Sequence, residues 1–260
     1  MSADPILQGQ VIDTPTAQEF TRLAAERVGE HDLGDVAGLL ERKSELFRST
    51  LAPDRLPNLD EDGALQLLKT VFSSRRRAKV ILNTLTLQGF VSAVHDLVNG
   101  IGTPQDRLAD FHEIVSGIGR DVPASTGYDL GSELLHFSNP ETHWLWTRWI
   151  WNPDSRTGAL PLVVMEEVDL DGGDVRETYR RIGLAMAFLD DVGEAAGFRT
   201  AGHGVFGTDV FLASVYAVYM YTTLRMRMTQ EFNRIIPELS ELVQRLLGVN
   251  RLELPAEVGS

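Results

Sequence analysis

Glu133-Leu-Leu-His136 sets a carboxylate and an imidazole three residues apart. On a helix this puts both on one face, the spacing that di-iron bundles use for their metal ligands. Such bundles need two copies, and the chain has one. A single ion held by Glu133, His136 and His143 is the remaining metal arrangement, and a satisfied core histidine is the simpler account of a lone motif. No metal or other cofactor is expected. Two aspartate-rich loops have the look of calcium loops, but Lys69 and Thr178 stand where the bidentate glutamate belongs. Gly202-His-Gly-Val-Phe-Gly207 matches the spacing of a dinucleotide fingerprint, yet a helical pattern precedes it and no acidic strand end follows, so it reads as a loop between helices. No Gly-x-Ser-x-Gly elbow anchors a hydrolase triad.

All four tryptophans, Trp144, Trp146, Trp149 and Trp151, fall within eight residues of one another. As a helix the segment puts Trp144 and Trp151 on one face and Trp146 and Trp149 opposite; as a strand it splits them two and two. Either way one pair is expected to meet another element, a partner or a ligand. Arg75-Arg-Arg77-Ala-Lys79 is the one dense basic run. It stands where a long helix begins, so its cations oppose the helix dipole. Pairing with Asp60, Glu61 and Asp62 is the plain account of it, and an anion site built on Arg75, Arg76 and Arg77 is the functional one.

The elements that must position these residues read as helices. Thr16-Ala-Gln-Glu19 has the form of a capping box opening a run to about Val28, and Leu33 to Phe47 gives a second helix. Asp60 starts a short one to Phe72. Ser74 opens the longest, with Val80, Leu87, Phe90, Val94 and Leu97 as its apolar stripe, interrupted by Asn83 and Thr84. Thr103-Pro104 caps the next, closed by Gly117-Ile-Gly119, and Tyr128 to Phe137, Asp174 to Ala196, 208–229 and 238–247 complete the set. Leu160 to Val164 suggests at most a short hairpin near 155–170. The expectation is a mainly α, single multi-helix domain of about nine helices over 14–248, with a flexible arm at 1–13 and a disordered tail at 249–260.

Ser116-Gly-Ile-Gly-Arg120, the apolar helix through Leu134-Leu-His-Phe137, and Glu141-Thr-His-Trp144 together resemble the helix-hairpin-helix DNA glycosylases over roughly Ser116 to Trp149. The resemblance implies a phosphate held by Gly117, Gly119 and Arg120. It also places Glu141 at the position of the family's aspartate, with His143 beside it, as catalytic candidates. The matching region has no lysine nucleophile and the chain has no cluster cysteines, so what is implied is a shared helical fold with the chemistry lost.

The formal charge of −13 and pI near 4.9 repel a phosphate backbone over most of the surface, so nucleic acid is not an expected partner. Without cysteine there is no iron–sulfur cluster, thiolate zinc site or cysteine nucleophile. The amino terminus shows no basic leader or apolar run, and the uncharged stretch between Asp209 and Arg225 is shorter than a membrane span, so a cytoplasmic protein without a membrane role is expected. Three functions follow. The first is a non-catalytic accessory or interaction protein that presents Trp144, Trp146, Trp149, Trp151 and Arg148 to a protein partner, a second copy or a small ligand. The second is a glycosylase-like enzyme or nucleic-acid-binding relative. The third is a small-ligand pocket lined by the tryptophans, Tyr216 and Tyr219, with Glu133 and His136 as its polar groups.

Overall fold

The computed structural model describes residues 10–197, 204–227, 238–250 and 252, and of Glu30, His31 and residues 224–227 the backbone alone. Helix α1 spans Thr14–Val28. Its cap is Asp13, whose carboxylate accepts from the Thr16 amide, three residues ahead of the expected capping box; an aspartate followed by Pro15 satisfies the first turn without Glu19. Helix α2 runs Glu30–Thr50, and a 3₁₀ turn at Leu56–Asn58 follows the prolines. Asp60 caps α3, Glu61–Thr70, through the Gly63 amide at 2.8 Å. The basic run forms a 3₁₀ turn, Arg75–Arg77, ahead of α4, Ala78–Asn99. Thr103 caps α5, Pro104–Ser116; α6 is Ser125–Ser138. Asp174 caps α7, Val175–Ala196. Helices α8, Gly207–Arg227, and α9, Leu239–Leu246, complete an all-α domain of nine helices among the described residues, with no strand.

The expected hairpin near 155–170 is replaced by two isolated bridges, Asn152 with Thr157 and Ile12 with Val164, and a 3₁₀ turn at Leu160–Leu162. Pro161 explains the difference, because it has no N–H to donate to a ladder. The bridge to Val164 also draws the end of the arm inward: Val11 and Ile12 are core residues, as is Val249 at the start of the expected tail. Residues 1–9 and 253–260 lie outside the described residues, and so do residues 228–229 at the end of the expected 208–229 helix.

In α4 the expected stripe holds for Phe90, Val94 and Leu97 and fails for Val80, which is exposed while Ala78, Ile81 and Leu82 are buried. Thr86 breaks the periodicity with φ 63°, ψ 160°, so the two halves of α4 bury different faces.

At the centre lies α6, every residue of which from Thr126 to Phe137 is buried, packed against α2, α4 and α5. The approach to α5 depends on two glycines one turn apart. A Cβ on Gly127 would lie 2.9 Å from the His112 carbonyl oxygen, and one on Gly131 would lie 2.6 Å from Leu108 Cδ1. A helix surrounded on all sides must satisfy its polar side chains internally, and α6 carries Asp129, Ser132, Glu133 and His136. Among the described residues no helix is long and apolar enough to cross a membrane.

Candidate functional site

Spaced by three and four, Asp129, Ser132 and His136 form one polar stripe along α6, and that stripe holds the tryptophan segment. His136 Nδ1 donates to the carbonyl of His143 at 2.6 Å. Ser132 Oγ accepts from the amide of Trp146, and Asp129 accepts from the amide of Arg148 at 2.9 Å and from its Nε at 3.0 Å. From the other side the Tyr179 hydroxyl donates to the Trp144 carbonyl at 2.9 Å. The segment is therefore neither helix nor strand: side chains stand where a ladder would supply hydrogen bonds, which lets an irregular backbone lie buried.

The indoles are packed inward. Trp146 is 1% exposed, Trp151 3% and Trp149 9%, and Trp144 is half-buried. Trp146 stacks on Tyr128 with centroids 4.3 Å apart and donates from Nε1 to the Trp151 carbonyl. The exposed indole surface needed to recruit a partner is not formed, because the segment is drawn onto α6 and α7. Trp149 lines a cavity.

Two buried ion pairs flank the stripe. Lys43, fully buried in α2, meets Glu133 at 2.6 Å, donates to the Leu247 carbonyl and lies 4.1 Å from the centre of the Phe137 ring. Burial pushes Lys43 down and Glu133 up, both toward the neutral form. His136 Nε2 meets Asp209 of α8 at 3.0 Å; burial opposes its charge, and the Asp209 carboxylate overrides that and leaves its pKa raised. Both ring nitrogens thus have partners, and Glu133 has Lys43, so Glu133, His136 and His143 do not converge on a metal. Among the described residues no group of three or more possible ligands could hold one. Asp129 is pushed up to about 7, mainly by burial, against the opposing pull of Arg148.

The cavity, of about 430 Å³, opens between the α3–α4 connection, α6, the tryptophan segment, α8 and α9. Asp129 and Glu133 line it together with Trp149, Tyr216, Leu242 and Leu246. Ser73, Thr147 and Trp149 also face it, and Ser73 Oγ, Thr147 Oγ1 and Trp149 Nε1 are buried atoms with no hydrogen-bond partner among the described residues. A second recess of about 330 Å³ adjoins it, sharing Phe72, Ser73, Arg148 and Arg245. Arg75, Arg76 and Arg77 complete its rim.

Other expected site residues lie elsewhere. Glu141 is exposed, and His143, half-buried with its pKa lowered to about 4 chiefly by burial, is used through its backbone. Gly117, Gly119 and Arg120 form the turn between α5 and α6. None of these lines either chamber, and neither do Trp144, Trp146, Trp151, His136 or Tyr219. Arg76 and Arg77 make no ion pair with Asp60, Glu61 or Asp62, contrary to the plain account of the basic run; Asp60 instead caps α3. Asp169 and Asp171, in the second acidic loop, are taken up by Arg156 and Arg181. In Gly202-His-Gly-Val-Phe-Gly207, Gly202 and His203 lie outside the described residues. Sequence reasoning missed Ser73, Thr147 and Asp129. For Asp129 a signal existed, a polar residue repeating at i, i+3 and i+7 along a largely apolar helix.

Compared with protein-family models, with curated proteins and with solved structures, the chain matches none.

Proposed function

We propose that the protein binds a small organic molecule in the chamber between Trp149, Tyr216 and α9. The observation that supports this most is that Ser73, Thr147 and Trp149 line one cavity and each carries a buried polar atom with no partner among the described residues. Buried hydrogen-bonding groups are nearly always satisfied, and leaving one unmade costs about 1–3 kcal/mol. Three such groups on side chains lining one space match a ligand that carries both donors and acceptors. The rest of the lining combines the apolar and aromatic Phe72, Tyr216, Leu242 and Leu246 with charged and polar side chains, Asp129, Glu133 and Arg148 among them, and the volume is in the range of sites that enclose small molecules. The accessory-protein alternative required exposed indoles, and three of the four are buried.

The test is a titration with neutral heteroaromatic fragments such as benzimidazole, followed by tryptophan emission. Saturable binding is expected, weakened about tenfold or more in Thr147→Val and in Trp149→Leu with helical circular dichroism unchanged. Absence of saturable binding, or equal binding by both variants, contradicts the proposal.

A further inference from the structure

The outer recess differs from the inner chamber in charge. Arg75, Arg76, Arg77, Arg148 and Arg245 line it, with Phe72, Ser73 and Asn250, and among the described residues no carboxylate does. Five guanidinium groups around 330 Å³ stand out in a chain with a formal charge of −13. Arg76, Arg77 and Arg148 keep donors to spare. Arg76 makes no hydrogen bond or ion pair with any described residue and is exposed. Arg77 uses Nε on the Asp121 carbonyl, and Arg148 uses Nε on Asp129. Arg245 meets Glu241 through Nε and one terminal nitrogen. Arg75 gives Nε to the Lys69 carbonyl and lies over Phe72, 6.0 Å from its ring centre. Three of the five also precede the first turn of α4, where the helix dipole makes their mutual repulsion worse. A multiply charged anion reverses every one of these costs, and guanidinium forks match phosphate oxygens two at a time.

We infer that the outer recess binds the phosphate or diphosphate end of a small molecule whose hydrogen-bonding, ring-containing body occupies the inner chamber. This rests on the small-ligand proposal for the inner chamber and names the class of compound it takes. Phosphate is favoured over a carboxylate because Arg76 and Arg77 both lack an acidic partner among the described residues, and a single negative charge opposes only one of them. The shared Phe72, Ser73, Arg148 and Arg245 make the two chambers one continuous site, with Arg148 between the anion and the Asp129 carboxylate.

Calorimetric titration at low salt with inorganic phosphate, pyrophosphate and phenyl phosphate tests this on the wild-type chain, Arg76→Ala and Lys79→Ala. Lys79 belongs to the same basic run and does not line the recess, so it controls for general attraction to basic charge. Pyrophosphate and phenyl phosphate are expected to compete for one site, with phenyl phosphate at least tenfold tighter than inorganic phosphate. Arg76→Ala should weaken both at least tenfold and Lys79→Ala less than twofold. Equal losses in the two variants, or no binding by either phosphate compound, overturn the inference. So does equal affinity for inorganic and phenyl phosphate, or a duplex oligonucleotide that binds more tightly than phenyl phosphate. Benzimidazole binding that persists while the phosphates fail leaves the small-ligand proposal standing and removes the phosphate class alone.

Discussion

Asp129 joins fold and cleft: it fixes the amide and guanidinium of Arg148 and forms part of the cavity floor. Burial raises its pKa from an ordinary 3.8 to about 7. A carboxyl raised in the fold contributes stability that is fully present below about pH 4 and lost as pH rises through 7. The unfolding free energy of wild type minus that of Asp129→Asn is therefore expected to fall between pH 4 and pH 7. The slope should approach about 1.4 kcal/mol per pH unit. Denaturant titrations of the two proteins across that range measure it, and a difference that stays level with pH would show that Arg148 keeps Asp129 ionised throughout. Lys43 and Glu133 differ from Asp129 in that both members of their pair are buried, whereas the Arg148 partner of Asp129 is partly exposed. Removing one partner of such a pair exposes the other to the full cost of burial, about 3–5 kcal/mol, so Glu133 is fixed in place as well as facing the cavity.

At the scale of elements, the helices whose starts carry a capping residue were legible. Asp60, Thr103 and Asp174 stand at the caps of α3, α5 and α7 as their sequences suggest. Where tertiary contacts decide, local pattern misleads. Val80 falls on the apolar stripe only if α4 is regular, and Thr86 is not helical. The four indoles were legible as a marked segment, but the side chains of α6 that hold it, Asp129, Ser132 and His136, are distant in sequence and their effect depends on packing. Gly127 and Gly131 had a readable meaning in their spacing, one turn apart, as a surface for close helix approach. Gly127→Ala places a methyl against the backbone of His112, 2.9 Å from its oxygen. Thermal or chemical unfolding is expected to show a loss of about 1–3 kcal/mol. An unchanged stability would mean that α5 and α6 separate at little cost.

Across the whole molecule, charge and cavity were read separately from the sequence and the fold brings them together. The basic run lies between α3 and α4, Arg148 lies in the tryptophan segment and Arg245 in α9, and these three places meet at one recess. Glu133, Trp149, Arg148, Tyr216 and Arg75 to Arg77 were legible as candidates, each for a different hypothesis, and no spacing along the chain announces that they share a site. Of the residues that stayed hidden, Ser73 and Thr147 are common residues in connecting segments, and only their lack of partners marks them. The most direct test follows the four indole N–H resonances in a ¹⁵N–¹H spectrum, assigned by single Trp→Phe substitutions, as phenyl phosphate is added. The account predicts that Trp149 Nε1–H shifts and saturates while Trp146 Nε1–H, already bonded to the Trp151 carbonyl, stays in place. A Trp149 resonance that does not move, or four that move alike, would contradict it.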